Sequence, residues 1–126
     1  MANVLLIEPD KVLGGTYQQA LRLWGYEVTH AFSAQEAINA ADKARPDVVV
    51  LELQLIGHDG IEFLQEFRSY PEWQDVPVVV LSHLTRELLE QSRVTLARDY
   101  GVYDCLYKPR TTLSHLQRAI NGVLGI

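Results

Sequence analysis

Pro46-Asp47-Val48-Val49-Val50-Leu51-Glu52-Leu53 lies near the middle of the chain, and its reading decides the fold. Residues 48–53 form a short, nearly continuous apolar run, rich in β-branched valine and bounded by a proline and charged residues. Such a run predicts a strand buried on both faces, as in a parallel sheet. Two further runs, at residues 4–7 and 76–81, have the same character. Residues 26–29 and 103–107 are shorter and more polar, as expected of strands at the edges of a sheet. Five strands are therefore expected.

Between them the period becomes helical. Leu13, Tyr17, Leu21 and Trp24 fall on one face, as do Ala34, Ala37, Ile38, Ala41 and Ala44 in the next segment. Ile61, Leu64 and Phe67 mark a third helix, and Leu113, Leu116, Ile120 and Val123 mark the last. Residues 85–100 are helical with Leu88, Leu89 and Ala97, on a less clean face. Gly25, Pro46, Pro71 and Gly101 stand where successive helices must stop. Residues 69–75, with Trp73, read as a surface connection holding one packed aromatic. Gly14 and Gly15 fall early in the first helix and are expected to loosen its first turn.

Strands and helices alternate from end to end, which implies a parallel sheet with right-handed crossovers and helices on both faces. With 126 residues and 48% hydrophobic composition, the chain forms one domain, residues 1–126, with one core. A formal net charge of -5 would repel phosphate backbones and anionic lipid, so nucleic acid is not an expected direct partner. No apolar stretch approaches the roughly 20 residues that cross a bilayer. The single cysteine, Cys105, and a start without signal-peptide character point to a reducing cytoplasm.

In doubly wound sheets the functional crevice lies beyond the carboxyl ends of the strands. Those ends carry Glu8-Pro9-Asp10 after the first strand, Glu52 at the third, Ser82-His83 after the fourth and Lys108-Pro109 after the fifth. Carboxylates, a hydroxyl and an ammonium converge there.

The stretch from Pro46 to Gly60, then Val-Pro-Val-Val-Val-Leu-Ser82, then Tyr107-Lys-Pro109, resembles the receiver domain of bacterial two-component response regulators, over nearly the whole chain. The resemblance implies a three-layer, flavodoxin-like α/β fold of (βα)5 type, with a five-stranded parallel sheet in the order 2-1-3-4-5. It also implies phosphoryl transfer to an aspartate at the end of the third strand, magnesium held by acidic residues, and a Ser/Thr and a Lys that contact the phosphoryl group. The output face would be helix four, strand five and helix five. Ser82 matches the switch hydroxyl, Lys108 the lysine, Glu8 the first acidic position and Asp59-Gly60 the turn that opens helix three.

Four positions depart from the pattern. The phospho-acceptor position holds Glu52, the second acidic position Pro9, the residue after the switch hydroxyl is His83, and the aromatic-switch position is Cys105. Glutamate keeps the charge but is one methylene longer, and misplacing a nucleophile by roughly 1 Å can cost about a hundredfold in rate. The extra reach carries Glu52 towards Lys108 and Ser82, as a partial phosphate analogue, and a salt bridge with Lys108 is expected. Pro9 leaves Glu8 and Glu52, with Asp10 one position along, as an acidic pocket that binds magnesium weakly if at all. Asp10 also suits the cap of the first helix. His83 and His58 stand at the pocket rim, where His83 would obstruct a phosphodonor. Cys105 reads as core rather than as a redox sensor. The mixed charges of helix four suit a partner surface or a solvated face.

The expectation is an atypical, stand-alone receiver-like protein, not an enzyme and without a required cofactor, that works through protein contacts independently of aspartyl phosphorylation. Its partners would be a histidine kinase or an output protein, or a second copy through the helix 4, strand 5 and helix 5 face. Two alternatives remain open: switching by a metal or anion near Glu52 and His83, and a conventional phosphorelay component with weak magnesium binding. A flavodoxin-like catalyst is disfavoured, because no glycine-rich phosphate loop follows the first strand.

Overall fold

A computed structural model describes residues 2–55, 57 and 59–126. Five strands, β1 (Asn3–Ile7), β2 (Glu27–Ala31), β3 (Val48–Leu51), β4 (Val78–Ser82) and β5 (Val102–Tyr107), form one parallel sheet in the order β2-β1-β3-β4-β5. The helices are α1 (Lys11–Leu23), α2 (Ala34–Lys43), α3 (Gly60–Ser69), α4 (Arg86–Tyr100) and α5 (Leu113–Leu124).

Alternation along the strands sorts the core into two layers. Leu5, Ile7, Val49, Leu51, Val78 and Val80 pack with Ala37, Ile38, Phe63, Leu64, Phe67, Leu89 and Leu96 of α2, α3 and α4. Val4, Leu6, Val48, Val50, Val79 and Leu81 pack with Tyr17, Leu21, Leu116 and Ile120 of α1 and α5. Each large side chain buried in these layers contributes about 1.5–3 kcal/mol, which is why the continuous valine runs form the centre of the sheet.

Every helix starts on a capping side chain. Asp10, Ser33, Asp59, Thr85 and Thr112 each accept a hydrogen bond from the backbone N–H three residues on. Gly101 closes α4 in the left-handed region at φ 65°, where a side chain would be strained.

Several expectations change in detail. The strand expected at 76–81 runs from Val78 to Ser82, so Ser82 ends the strand rather than following it. In α4 the buried residues are Leu89 and Leu96, while Leu88 and Ala97 are exposed. Only one narrow face of that 15-residue helix reaches the core, which explains its weak periodicity. Ala44, expected on the buried face of α2, caps that helix and is exposed. The 69–75 connection contains a 3-10 turn, Pro71–Trp73, with Trp73 stacked on Phe67 at 5.1 Å.

Gly14 has a definite role. A Cβ there would lie 2.1 Å from the His30 ring, so the glycine lets β2's histidine lie against α1. The first turn of α1 is thereby packed against β2 rather than left loose. Among the described residues, no helix is long and apolar enough to cross a membrane.

Candidate functional site

Strand register brings the site together. Ile7 pairs with Leu51, so Glu8 and Glu52 leave the sheet side by side. Ser82 pairs with Tyr107, so Lys108 leaves beside the Ser82 hydroxyl. Residues far apart in sequence thus meet at the carboxyl edge of β1, β3, β4 and β5.

Glu52 is 1% exposed, and its carboxylate is fully engaged. Oε1 accepts from Lys108 Nζ at 2.6 Å, from the His83 backbone N–H at 3.2 Å and from His83 Nδ1 at 2.5 Å. Oε2 accepts from the Ser82 hydroxyl and from the Gln54 backbone N–H at 3.1 Å. Glu8, also buried, accepts from Lys108 Nζ at 2.6 Å through Oε1 and from the Asp10 N–H at 3.0 Å through Oε2. The Lys108 side chain, 9% exposed, therefore bridges two carboxylates. Burying an ion is costly unless hydrogen bonds surround it, and here they do. Among the described residues no buried polar side-chain atom lacks a partner.

The charge states follow. Burial pushes the Glu52 carboxyl up, but hydrogen bonds from Lys108, Ser82 and the Gln54 N–H, with the Lys108 charge, outweigh it and hold the group below its ordinary value. Burial pushes the Lys108 ammonium down, yet hydrogen bonds to Glu52 and Glu8 and their charges carry it above its ordinary value. Both groups are ionised at neutral pH. Since a carboxylate only accepts, His83 Nδ1 carries a hydrogen and is the donor of this bond.

Support comes from behind. His30 Nε2 lies 2.8 Å from the Glu8 carbonyl oxygen, which can only accept, so the ring donates from that nitrogen. Gly14 makes room for this ring. Gly60 performs a similar service beyond Glu52: its N–H donates to the Leu53 carbonyl at 2.7 Å, and a Cβ would lie 2.8 Å from Leu53 Cα. Sequence reasoning missed His30 and the Gln54 N–H. A glycine inside a helix was the available signal for the first.

The expected Glu52–Lys108 ion pair is present. His83 does more than stand at the rim: with 54% of its side chain exposed, it covers Glu52 and bonds to it. Asp10 is the correction. Its carboxylate accepts from the Leu13 N–H as the cap of α1, so only its backbone N–H joins the acidic pocket. His58 lies outside the described residues. Cys105 is buried, and desolvation pushes its thiol up to about 11, which leaves almost no thiolate at neutral pH and favours the core role over a redox role.

The magnesium implied by the resemblance can be tested against these donors. Magnesium demands near-octahedral oxygen geometry. Position 9 is proline and offers no side-chain oxygen, Asp10 is occupied with capping, and all four carboxylate oxygens of Glu8 and Glu52 accept from protein donors. Among the described residues no group of three or more His, Cys, Asp or Glu is arranged to hold a metal. The arrangement does not fit the ion.

A doubly wound parallel sheet with acidic, hydroxyl and lysine side chains gathered at its carboxyl edge is the arrangement that the resemblance to receiver domains implies. The response regulator receiver domain family matches residues 4–121, and the chain belongs to it. It is 36% identical over 109 residues to the KDP operon transcriptional regulatory protein KdpE of Escherichia coli, covering 86% of this chain and 45% of that protein. It is 35% identical to the transcriptional regulatory protein PrrA of Mycobacterium tuberculosis, covering 85% and 43%. The chain spans less than half the length of these relatives. Among solved structures it resembles the chemotaxis protein CheY4 of Vibrio cholerae, with 26% identity, a TM-score of 0.85 and coverage of 98% of both chains. It is also similar to the receiver domain of the sensor histidine kinase PA1611 from Pseudomonas aeruginosa, with 27% identity, a TM-score of 0.82 and coverage of 99% and 98%. That structure has a magnesium ion coordinated in its active site cleft.

Proposed function

We propose that this receiver domain signals through protein contacts without phosphorylation of an aspartate, and that Glu52 fixes the pocket in one state. One observation carries the proposal: the Glu52 carboxylate is bonded simultaneously by Ser82, Lys108 and two backbone N–H groups. In the receiver pattern, Ser82 and Lys108 are the side chains that meet a phosphoryl group. Here an internal carboxylate satisfies both, with one negative charge in place of nearly two. As a nucleophile Glu52 is poorly placed, because its oxygens are engaged by donors, the His83 ring nitrogen among them.

The domain then works as a binding module rather than a catalyst, with a histidine kinase or an output protein as the expected class of partner. Incubation with a small phosphodonor and magnesium, followed by intact-mass measurement, tests this. The parent protein is expected to gain no phosphoryl group. Stable, stoichiometric gain of one phosphoryl group would overturn the proposal and favour a conventional phosphorelay role.

A further inference from the structure

The donor pattern around Glu8 and Glu52 goes beyond the question of whether Glu52 accepts a phosphoryl group. Two buried carboxylates side by side need a counter-charge, because like charges at close range in a dry site cannot both remain ionised alone. We propose that Lys108 is the pocket's resident cation: its ammonium holds the position between Glu8 and Glu52 and keeps divalent ions out.

Geometry supports the assignment in three ways. Nζ lies 2.6 Å from one oxygen of each carboxylate, so the ammonium is shared between them. The remaining oxygens are not open either, since Glu8 Oε2 accepts from the Asp10 N–H and Glu52 Oε2 from Ser82 and the Gln54 N–H. An entering ion would compete with a protein donor at any carboxylate oxygen it took and would have to shed some of its own water, which magnesium does reluctantly. Finally, Lys108 is held where it leaves the sheet. It begins a 3-10 turn, Lys108–Arg110, with Pro109 fixing the backbone, its carbonyl accepting from the Thr111 N–H at 3.2 Å, and the Thr111 hydroxyl donating to the Tyr107 carbonyl at 2.8 Å.

Neither neighbouring acidic position supplies a rescue. Pro9 has no side-chain oxygen to add, and Asp10 Oδ1 accepts from the Leu13 N–H at 2.9 Å as the cap of α1. Removing the ammonium would free Glu8 Oε1, leave Glu52 Oε1 to the His83 donors alone, and require another cation or a proton between the two carboxylates. The pocket therefore contains a latent cation site that Lys108 keeps closed.

The test is a titration with magnesium and then manganese, without any phosphodonor, following backbone amide resonances of residues 8–10, 52–54 and 82–84. The parent protein is expected to show no saturable shift at millimolar ion. Lys108→Met is expected to bind manganese more tightly than the parent by roughly tenfold or more, because a resident positive charge no longer competes for the two carboxylates. Saturable binding by the parent overturns the proposal by itself, so the test holds even if the variant does not fold. A folded Lys108→Met that still binds no ion also overturns it, since the ammonium would then not be what keeps the ion out. Either result leaves the phosphodonor experiment on Glu52 to be decided separately.

Discussion

Two clusters of charge join elements at the carboxyl half of the sheet, and they differ chiefly in their access to water. In the pocket, Lys108 bridges Glu8 and Glu52 with its side chain 9% exposed. At the seam between α4 and β5, Arg93 donates to Asp104 at 2.9 Å, to Glu90 at 3.1 Å and to the Cys105 carbonyl at 2.9 Å, but its side chain is 41% exposed. Arg93 makes three bonds and Lys108 only two, but Lys108 makes its two in a drier place. Loss of a partner is expected to be severe only in the pocket, because an unpaired buried charge has no water to turn to. The number of bonds is a poor guide to their worth.

Lys108→Met should be the most damaging change, lowering unfolding free energy by roughly 3–5 kcal/mol in urea titration. A loss below about 1 kcal/mol would place the pocket in the screened regime of surface pairs and erase the contrast. Gly14→Ala comes next. In an open helix this change stabilises by about 0.5–1 kcal/mol, but here it drives a methyl into His30 and should cost about 1–3 kcal/mol. Gly15, with open space around it, is the paired control, and Gly15→Ala should be stabilising. If the two alanine variants behave alike, His30 is not seated behind Glu8 as described. Arg93→Ala should cost least, about 1 kcal/mol, because exposure and salt screen its pairs and only the carbonyl bond is partly sheltered.

The same physical difference explains what could be read from sequence. Buried parallel strands leave continuous valine runs, so residues 4–7 and 48–53 declared the sheet, and the alternation of elements declared its class. Glu8, Glu52, Ser82 and Lys108 could be assigned to one edge because each follows or ends such a run. Their mutual bonding depends on register, which pairs Ile7 with Leu51 and Ser82 with Tyr107 and leaves no local trace. Asp10 had two readings for a local reason: an aspartate before a helix suits a cap, the favoured role, and also stands beside the acidic pocket, and the Leu13 N–H takes its carboxylate. The contact of His30 with the Glu8 carbonyl was hidden because it joins β2 to the loop after β1 across the sheet. In α4, Leu88 misled because adjacent leucines cannot share one narrow buried stripe, and Leu89 occupies it.

Glu52 as a fully bonded group, charged at neutral pH, is the centre of this description, and its titration tests it most directly. A carboxyl held below its ordinary value contributes stability above that value, and the contribution is lost as pH falls through the lowered one. The measurement is the chemical shift of the Glu52 side-chain carboxyl carbon as a function of pH in the folded protein. A midpoint below the ordinary 4.5 is predicted. A midpoint at or above 4.5 would mean that burial outweighs the bonds from Lys108, Ser82 and Gln54, and would contradict the account.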